Sequence, residues 1–327
     1  MKHQKFVAVF FNFCLSFISR CYTFIMNSNF SVITRKDYES HPLLKRLLEL
    51  NDIPPQLYIV GTLPEITLDE YGRATPRILT VVGSRKHTQY GKSATEKLIA
   101  SLQDQEVIIL SGLALGIDGL AHSSALKNKI TTLAIPGSGL GGKVLYLSTH
   151  RGLAEEIVNA GGALISELSP DTSAALWTFP ARNRIMAALS DAVLVVEAEE
   201  KSGTLITARQ ALELGRDIGA VPGELFSPTS TGTNKLISDG AYIIGSEDDL
   251  FALLHLTKSD TDAMRNEDKH TYTDNEKIIL DLLIESVEKD TLLIKSGLSL
   301  QEFMVALSSL EMNGIIEETF GEVRRLV

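Results

Sequence analysis

An apolar run rich in β-branched residues, Arg77–Val82, ends in the sequence Gly-Ser-Arg at residues 83–85 and constrains the fold more than any other stretch. Such a run is typical of a buried strand, and a helix is predicted to follow over about residues 90–103. Gly83 permits a tight turn, Ser84 offers a hydroxyl, and Arg85 offers two parallel N–H donors. The sequence therefore predicts a buried strand that ends in an anion-binding turn at the start of a helix.

The same order of strand, glycine-containing turn and helix recurs through the middle of the chain. The further predicted strands are Val107–Leu110, Thr131–Ile135, Ala163–Glu167, Ala192–Val196 and Ile218–Val221. Six strands that alternate with helices predict an α/β fold, a Rossmann-like, doubly wound and mostly parallel sheet, over residues 71–254. Ligands of such sheets bind outside the carboxyl ends of the strands, so the loops at those ends are candidate sites.

These loops combine glycines and hydroxyls with cationic side chains, and they define the candidate binding residues. Two arginines, Arg182 and Arg184, fall in the predicted first turn of a helix, where cations oppose the helix dipole, so a bound phosphate would compensate them. Together with Arg85 and Lys235 they predict a basic rim. The candidates are Gly83, Ser84, Arg85, Ser111, Gly112, Arg182, Asn183, Arg184, Ser202, Gly203, Thr204, Gly232, Asn234 and Lys235.

Charge is distributed unevenly along the 327 residues. The formal net charge of -10 argues by itself against a nucleic-acid partner, but residues 71–254 carry only -3 and residues 270–327 carry -6. Most of the acidity therefore lies in the carboxyl-terminal segment. The two cysteines, Cys14 and Cys21, lie near the amino end and form no zinc or disulfide pattern, which agrees with a reducing cytoplasm.

Three sequence patterns imitate catalytic or cofactor motifs. Gly91-Lys92-Ser93 lacks the glycine of a P-loop at position 86, and a G-x-G-x-x-G at 137–142 follows the third strand without opening a helix, so neither ATP nor NAD is predicted. Asp118 and His122 share a helix face, which suits a base and its orienter, two metal ligands, or a first-turn charge beside a packed histidine. The last interpretation is favoured, so we predict no catalytic residue, cofactor or metal.

The ends of the chain are predicted to be separate segments. Residues 1–25 contain an apolar run that is short for a membrane span and lacks a cleavage site, so an untranslated extension is favoured over a membrane role. Residues 26–70 have helical apolar spacing and predict a short helical cap. Residues 255–269 are charged and predict a linker. Residues 270–327 predict three helices and a hairpin, a small winged-helix-like module whose acidity favours a protein-contact or regulatory role.

Several motifs, in order, resemble those of the DNA-processing protein A (DprA/Smf) family. They are Val82–Arg85, Ser111–Asp118 with Ala121-His122, Phe179–Arg184, Glu197-Ala198 with Ser202–Thr207, and Pro222-Gly223. The resemblance covers roughly residues 55–250. It implies a Rossmann-like domain that binds single-stranded DNA, acts with the RecA recombinase in recombination and natural transformation, often forms a homodimer, and has no established catalytic activity.

A different class of protein remains open on the same fold. Cytokinin-activating phosphoribohydrolases also place a Gly-Thr helix start against a nucleotide phosphate. Their full Pro-Gly-Gly-x-Gly-Thr-x-x-Glu pattern is missing here, because Ile206 and Thr207 stand near the position of the glutamate. Single-stranded DNA binding in the cytoplasm is therefore the predicted function, and a nucleotide-binding hydrolase is the alternative.

Overall fold

The computed structural model describes residues 30–68, 74–145, 150–256, 272–283, 286–312, 315–319 and 321–325. Two compact units divide the chain at residue 257, and each is described by itself. The predictions for residues 1–25 and for most of the linker lie outside the described residues. Within the described ranges, no helix is both long and apolar enough to cross a membrane.

The first unit contains eleven strands and seven α-helices within its described residues. The strands are β1 (Ser31–Thr34), β2 (Gln56–Gly61), β3 (Thr67–Leu68), β4 (Ala74–Thr75), β5 (Arg77–Val82), β6 (Val107–Ser111), β7 (Thr132–Ala134), β8 (Ala163–Ser166), β9 (Ala192–Val195), β10 (Asp217–Ala220) and β11 (Tyr242–Ile243). The helices are α1 (Gln89–Ser101), α2 (Ile117–Lys127), α3 (Arg151–Asn159), α4 (Thr178–Leu189), α5 (Gly203–Glu213), α6 (Thr231–Ser238) and α7 (Glu247–Leu253).

Nine of these strands form one sheet in the order β1-β2-β8-β7-β6-β5-β9-β10-β11. Strands β5 to β11 are mutually parallel, whereas β2 is antiparallel to both β1 and β8. Alternate residues of β5 enter different cores: Ile78 and Val82 pack with α4 and α5, and Leu79 and Val81 pack with α1 and α2. Helices therefore cover both faces, and the predicted doubly wound, mostly parallel sheet is confirmed.

The helical cap predicted over residues 26–70 differs from the structure. Its helical spacing corresponds to two 3-10 helices, Arg35–Ser40 and Leu44–Glu49, but β1 and β2 flank them and extend the central sheet. The 3-10 helices are also attached to the sheet, since Arg46 forms a 2.7 Å ion pair with Asp191. This segment therefore packs as part of the sheet domain, because β2 hydrogen-bonds along β8.

The second unit has its own apolar core, which includes Ile279, Leu292, Phe303 and Val323. Its elements are α8 (Asp274–Leu282), β12 (Val287–Glu288), α9 (Lys289–Ser296), α10 (Leu300–Met312), β13 (Ile316–Thr319) and β14 (Glu322–Arg325). The strands pair antiparallel in the order β12-β14-β13. Three helices and the β13–β14 hairpin thus occur within the residues for which they were predicted. The winged-helix assignment stays a prediction.

Candidate functional site

A pocket of about 400 Å³ opens at the carboxyl end of β5, between the first turns of α4 and α5. Its position agrees with the edge at which doubly wound sheets bind their ligands. Three cations and two carboxylates are part of its lining. The lining residues are Val82, Gly83, Ser84, Arg85, Lys86, Ala114, Asp118, Phe179, Arg182, Asn183, Met186, Glu199, Ser202, Gly203, Thr204 and Thr207.

The turn after β5 is held against the start of α2. A Cβ atom on Gly83 would lie 2.6 Å from the Ile117 side chain, so only glycine fits there. The carbonyl oxygen of Ser84 accepts a hydrogen bond from the Ile117 N–H at 3.1 Å, and the Ser84 hydroxyl accepts one from the Lys86 N–H at 3.1 Å. The predicted turn is therefore rigid, and it presents Arg85 and Lys86 at the pocket.

Arg85 and Lys86 are both exposed, and neither forms an ion pair with another residue that the structure describes. The guanidinium carbon of Arg85 lies 4.9 Å from the centroid of the Phe179 ring, which is a cation–π distance. The ring therefore orients the guanidinium and leaves its N–H donors available. Sequence reasoning missed Lys86 as a site residue, although it directly follows the predicted turn.

The first turn of α5 borders the same pocket. Ser202 is the N-cap, and its hydroxyl accepts a hydrogen bond from the Thr204 N–H. The Thr204 hydroxyl donates to the carbonyl oxygen of Gly83 at 3.2 Å, which joins this helix start to the turn after β5. Gly203 is exposed, and an added Cβ would meet nothing within 4 Å. The amino end of α5 therefore faces the pocket with the positive end of its dipole.

Arg182 lines the pocket from a buried position, with 7% of its surface exposed. Its guanidinium donates to the carbonyl oxygens of Gly112, at 2.7 Å, and Ile135, and to Oδ1 of Asn183 at 2.9 Å. Burial lowers the pKa of Arg182 to about 10, and the charge of Asp118 opposes this shift. Arg182 is therefore charged at neutral pH, and its donors hold the loops after β6 and β7.

Arg184 lies outside the pocket lining. Its guanidinium forms a 2.5 Å ion pair with Glu167 and a 3.4 Å ion pair with Asp52. The compensating anions for this cation are therefore carboxylates of the chain itself. The structure does not bring Arg184 together with Arg85.

Two further groups of predicted residues lie beside the pocket and outside its lining. The Ser111 hydroxyl is buried and donates to the Val81 carbonyl oxygen at 2.6 Å, while the Gly112 N–H donates to Asp118. On the other side, the side-chain amide of Asn234 hydrogen-bonds both backbone groups of Gly223. Gly232 donates its N–H to the Ala198 carbonyl, and Lys235 forms a 2.5 Å ion pair with Asp239. These residues shape neighbouring loops.

The Asp118 and His122 pair is buried in α2. Burial raises the pKa of Asp118, and Arg182 together with backbone N–H groups opposes the shift. Burial also lowers the pKa of His122 to about 3, and its Nδ1 lies 2.7 Å from the Thr132 hydroxyl. Among the described residues, no group of three or more potential ligands could hold a metal ion.

A doubly wound sheet with a cationic pocket beside a helix amino end defines an α/β domain of the class that binds phosphorylated ligands. Comparison with known proteins identifies the family. A family model described as DNA recombination-mediator protein A matches residues 29–255. The chain therefore belongs to the DNA recombination-mediator protein A family, and the resemblance found in the sequence is confirmed.

Individual relatives support this assignment. Protein Smf of Escherichia coli is 33% identical over 296 residues, which cover 89% of this chain and 76% of that protein. DNA processing protein DprA of Bacillus subtilis is 40% identical over 205 residues, which cover 63% and 66%. Among solved structures, DprA of Streptococcus pneumoniae has a TM-score of 0.60 at 35% identity, with 68% of this chain and 74% of that chain covered.

A second solved structure concerns DNA processing protein A of Helicobacter pylori and its mode of binding single-stranded DNA. It has a TM-score of 0.58 at 29% identity, with 70% of this chain and 97% of that chain covered.

Proposed function

We propose that this protein binds single-stranded DNA without sequence specificity, chiefly through phosphates, in DNA recombination and natural transformation. One observation carries the proposal: Arg85 and Lys86 are exposed at the pocket without an ion pair to any described residue, beside the amino end of α5. Two available cations and a helix amino end form a site for a phosphate. The relationship to the Helicobacter pylori protein supports DNA as the source of that phosphate.

We propose separate tasks for the pocket residues. Arg85 and Lys86 pair with phosphate oxygens, and Gly203 lets the backbone of α5 approach a phosphate closely. Arg182 and Asn183 keep the loops in place from below. Contacts of this kind are to the backbone of the strand and read no base edges, so they bind every sequence with similar affinity.

We propose a binding role without catalysis. Of the two carboxylates that line the pocket, Asp118 is buried and accepts a hydrogen bond from the Gly112 N–H, whereas Glu199 is exposed. The proposal without catalysis rests on the helix start of α5, where Ile206 and Thr207 stand near the position of the phosphoribohydrolase glutamate.

The wider role is proposed from the family. We propose that the protein acts in the cytoplasm as a homodimer and loads RecA on the bound strand, since the family is described as a recombination mediator. A pull-down with RecA, with and without single-stranded DNA, tests the partner, and sedimentation equilibrium tests the dimer. RecA that is recovered equally with and without the strand contradicts loading through DNA.

The binding proposal is tested by the anisotropy of a labelled oligo(dT) over a series of salt concentrations. We expect log affinity to fall with log salt, by about 0.7 for each phosphate contacted on a single strand. The Arg85→Ala change should weaken binding by about 1–3 kcal/mol, the worth of a charge-assisted pair, and reduce the slope.

Arg209→Ala is the matched control, because Arg209 is exposed on α5 at about 9 Å of helix rise from Gly203 and does not line the pocket. It should change affinity little. An affinity that is independent of salt, or a duplex that competes as well as a single strand, contradicts the proposed function. Equal effects of Arg85→Ala and Arg209→Ala would place the site elsewhere.

A further inference from the structure

The chain contains one tryptophan, Trp177, and it stands directly before the helix that lines the pocket. It is 63% exposed, and the preceding Leu176 is 91% exposed. A tryptophan is usually well buried, because its large apolar surface is costly to hydrate. An exposed tryptophan next to a ligand pocket is therefore a candidate for direct contact with a bound ligand.

The neighbours of Trp177 hold it in this outward position. Thr178 is fully buried, and its hydroxyl donates a 2.6 Å hydrogen bond to the Gly137 carbonyl oxygen in the loop after β7. The Phe179 ring also abuts Gly137, since a Cβ atom there would lie 2.5 Å from the ring. With both following side chains fixed against the loop, the indole of Trp177 remains on the surface of a rigid turn.

This position is close to the proposed phosphate site. The Cα atoms of Trp177 and Phe179 are two peptide units apart, which is at most about 7.6 Å. Phe179 carries the Arg85 guanidinium on its ring at 4.9 Å. Trp177 does not line the pocket, since residues two apart at a helix start point to different sides, so its indole lies on the surface beside the pocket, where a neighbouring nucleotide of the bound strand would stack.

Exposed apolar side chains are concentrated at this edge of the sheet. Single exposed apolar residues are normal on a protein surface, but a concentration at one edge marks a binding surface. Those in loops or first helical turns at the carboxyl ends of the strands include Tyr90, Leu115, Leu176, Trp177, Ile206 and Phe226. Available cations next to an aromatic face are the combination that binds single strands, because every base has a face that can stack.

We propose that Trp177 is a stacking platform for a nucleobase of the single strand whose phosphate occupies the pocket. The inference rests on the proposed function and adds to it a contact to a base. It explains why the strand must be single: a base that is paired inside a duplex has no free face to offer the indole.

The test uses the full chain, with Trp177 as its own reporter. Excitation of the indole during titration with oligo(dT) should show quenching that saturates at the affinity given by anisotropy of the labelled strand. Trp177→Ala should weaken binding on the order of tenfold, and Trp177→Phe should restore much of it. Leu212→Ala is the surface control, because Leu212 is 67% exposed near the other end of α5.

An abasic oligomer of the same length separates stacking from phosphate binding. Wild type and Trp177→Ala should bind it with affinities equal to within about twofold, since the base is already missing. Arg85→Ala should weaken binding to both oligomers.

Any of the following results overturns the inference. Binding without quenching overturns stacking and leaves the proposed function intact, whereas no binding of any oligomer overturns both. Equal loss on both oligomers in Trp177→Ala assigns the indole a structural role. A changed sedimentation coefficient of that variant assigns it to a contact between copies of the chain.

Discussion

Replacing Arg182 by methionine separates a structural role of this arginine from a DNA contact. The change removes the donors to the Gly112 and Ile135 carbonyl oxygens and to Asn183, and it removes the cation that faces Asp118. Leaving the buried carbonyl oxygens of Gly112 and Ile135 without their donor costs about 1–3 kcal/mol each, about 2–6 kcal/mol together, and Asp118 also loses a nearby cation. We therefore expect Arg182→Met to lower the free energy of unfolding by that amount.

Urea unfolding followed by far-ultraviolet circular dichroism measures this loss. Arg85→Met is the matched control, since Arg85 is exposed and the same substitution there should change stability by at most about 0.5 kcal/mol. The two variants should therefore lose different properties, one its affinity for DNA and the other its stability. Arg85→Met should be stable and weak in binding, whereas Arg182→Met should be unstable.

A second change tests the cause of the instability. Asp118→Asn in the Arg182→Met background removes the uncompensated carboxylate, so the double variant should regain part of the loss, with a coupling energy of about 0.5–3 kcal/mol. The reasoning is refuted if Arg182→Met unfolds at the wild-type urea concentration and loses DNA binding. That result would make Arg182 a direct DNA contact.

Three further predictions concern the turn, a buried histidine and the acidic segment. Gly116 has φ +81°, and an added Cβ would collide with the Ser84 carbonyl oxygen, so Gly116→Ala should lower the free energy of unfolding by about 1–3 kcal/mol, measured by thermal unfolding. Gly152→Ala is the control and should not lower it, because a Cβ there meets nothing within 4 Å. Burial lowers the pKa of His122 to about 3, so the stability that the neutral imidazole contributes is present above pH 6.5. This stability is lost as pH falls towards 3, at up to about 1.4 kcal/mol per pH unit. His122→Gln should remove this part of the pH dependence of urea unfolding. Removing residues 270–327 should leave single-strand affinity unchanged or slightly tighter, because charges beyond about 8 Å are largely screened at 0.15 M salt; a tenfold loss in a folded protein of unchanged oligomeric state contradicts a protein-contact role.

The parts of the fold that were predicted from the sequence are those set by local pattern. The run Arg77–Val82 is buried at every position because it is apolar and central, and its glycine turn follows from Gly83. The strand β2 was missed because its place depends on pairing with β8, more than 100 residues later. Such a long-range pairing leaves no local signal beyond a short apolar run.

The pocket lies at the edge of the sheet where the candidate site was predicted, and of the four predicted cations Arg85 and Arg182 line it. The sequence argument held that the first-turn arginines of α4 need a compensating anion, and it gave a bound phosphate as one candidate. The structure supplies anions and carbonyl groups from the chain: Asp118 and two carbonyl oxygens for Arg182, and Glu167 for Arg184. The requirement was correctly deduced, but charge balance does not identify the partner.

Helical geometry alone already limits how these two arginines can act. Residues two apart on an α-helix are separated by about 200° around its axis, so Arg182 and Arg184 cannot both face one pocket. Arg85 and Lys86, by contrast, lie in the turn after β5, where helical spacing does not separate their side chains, and both are exposed. Because the cations that remain available come from the turn, single-strand affinity should depend on Arg85 and Lys86, and the arginines of α4 should determine whether the pocket keeps its shape.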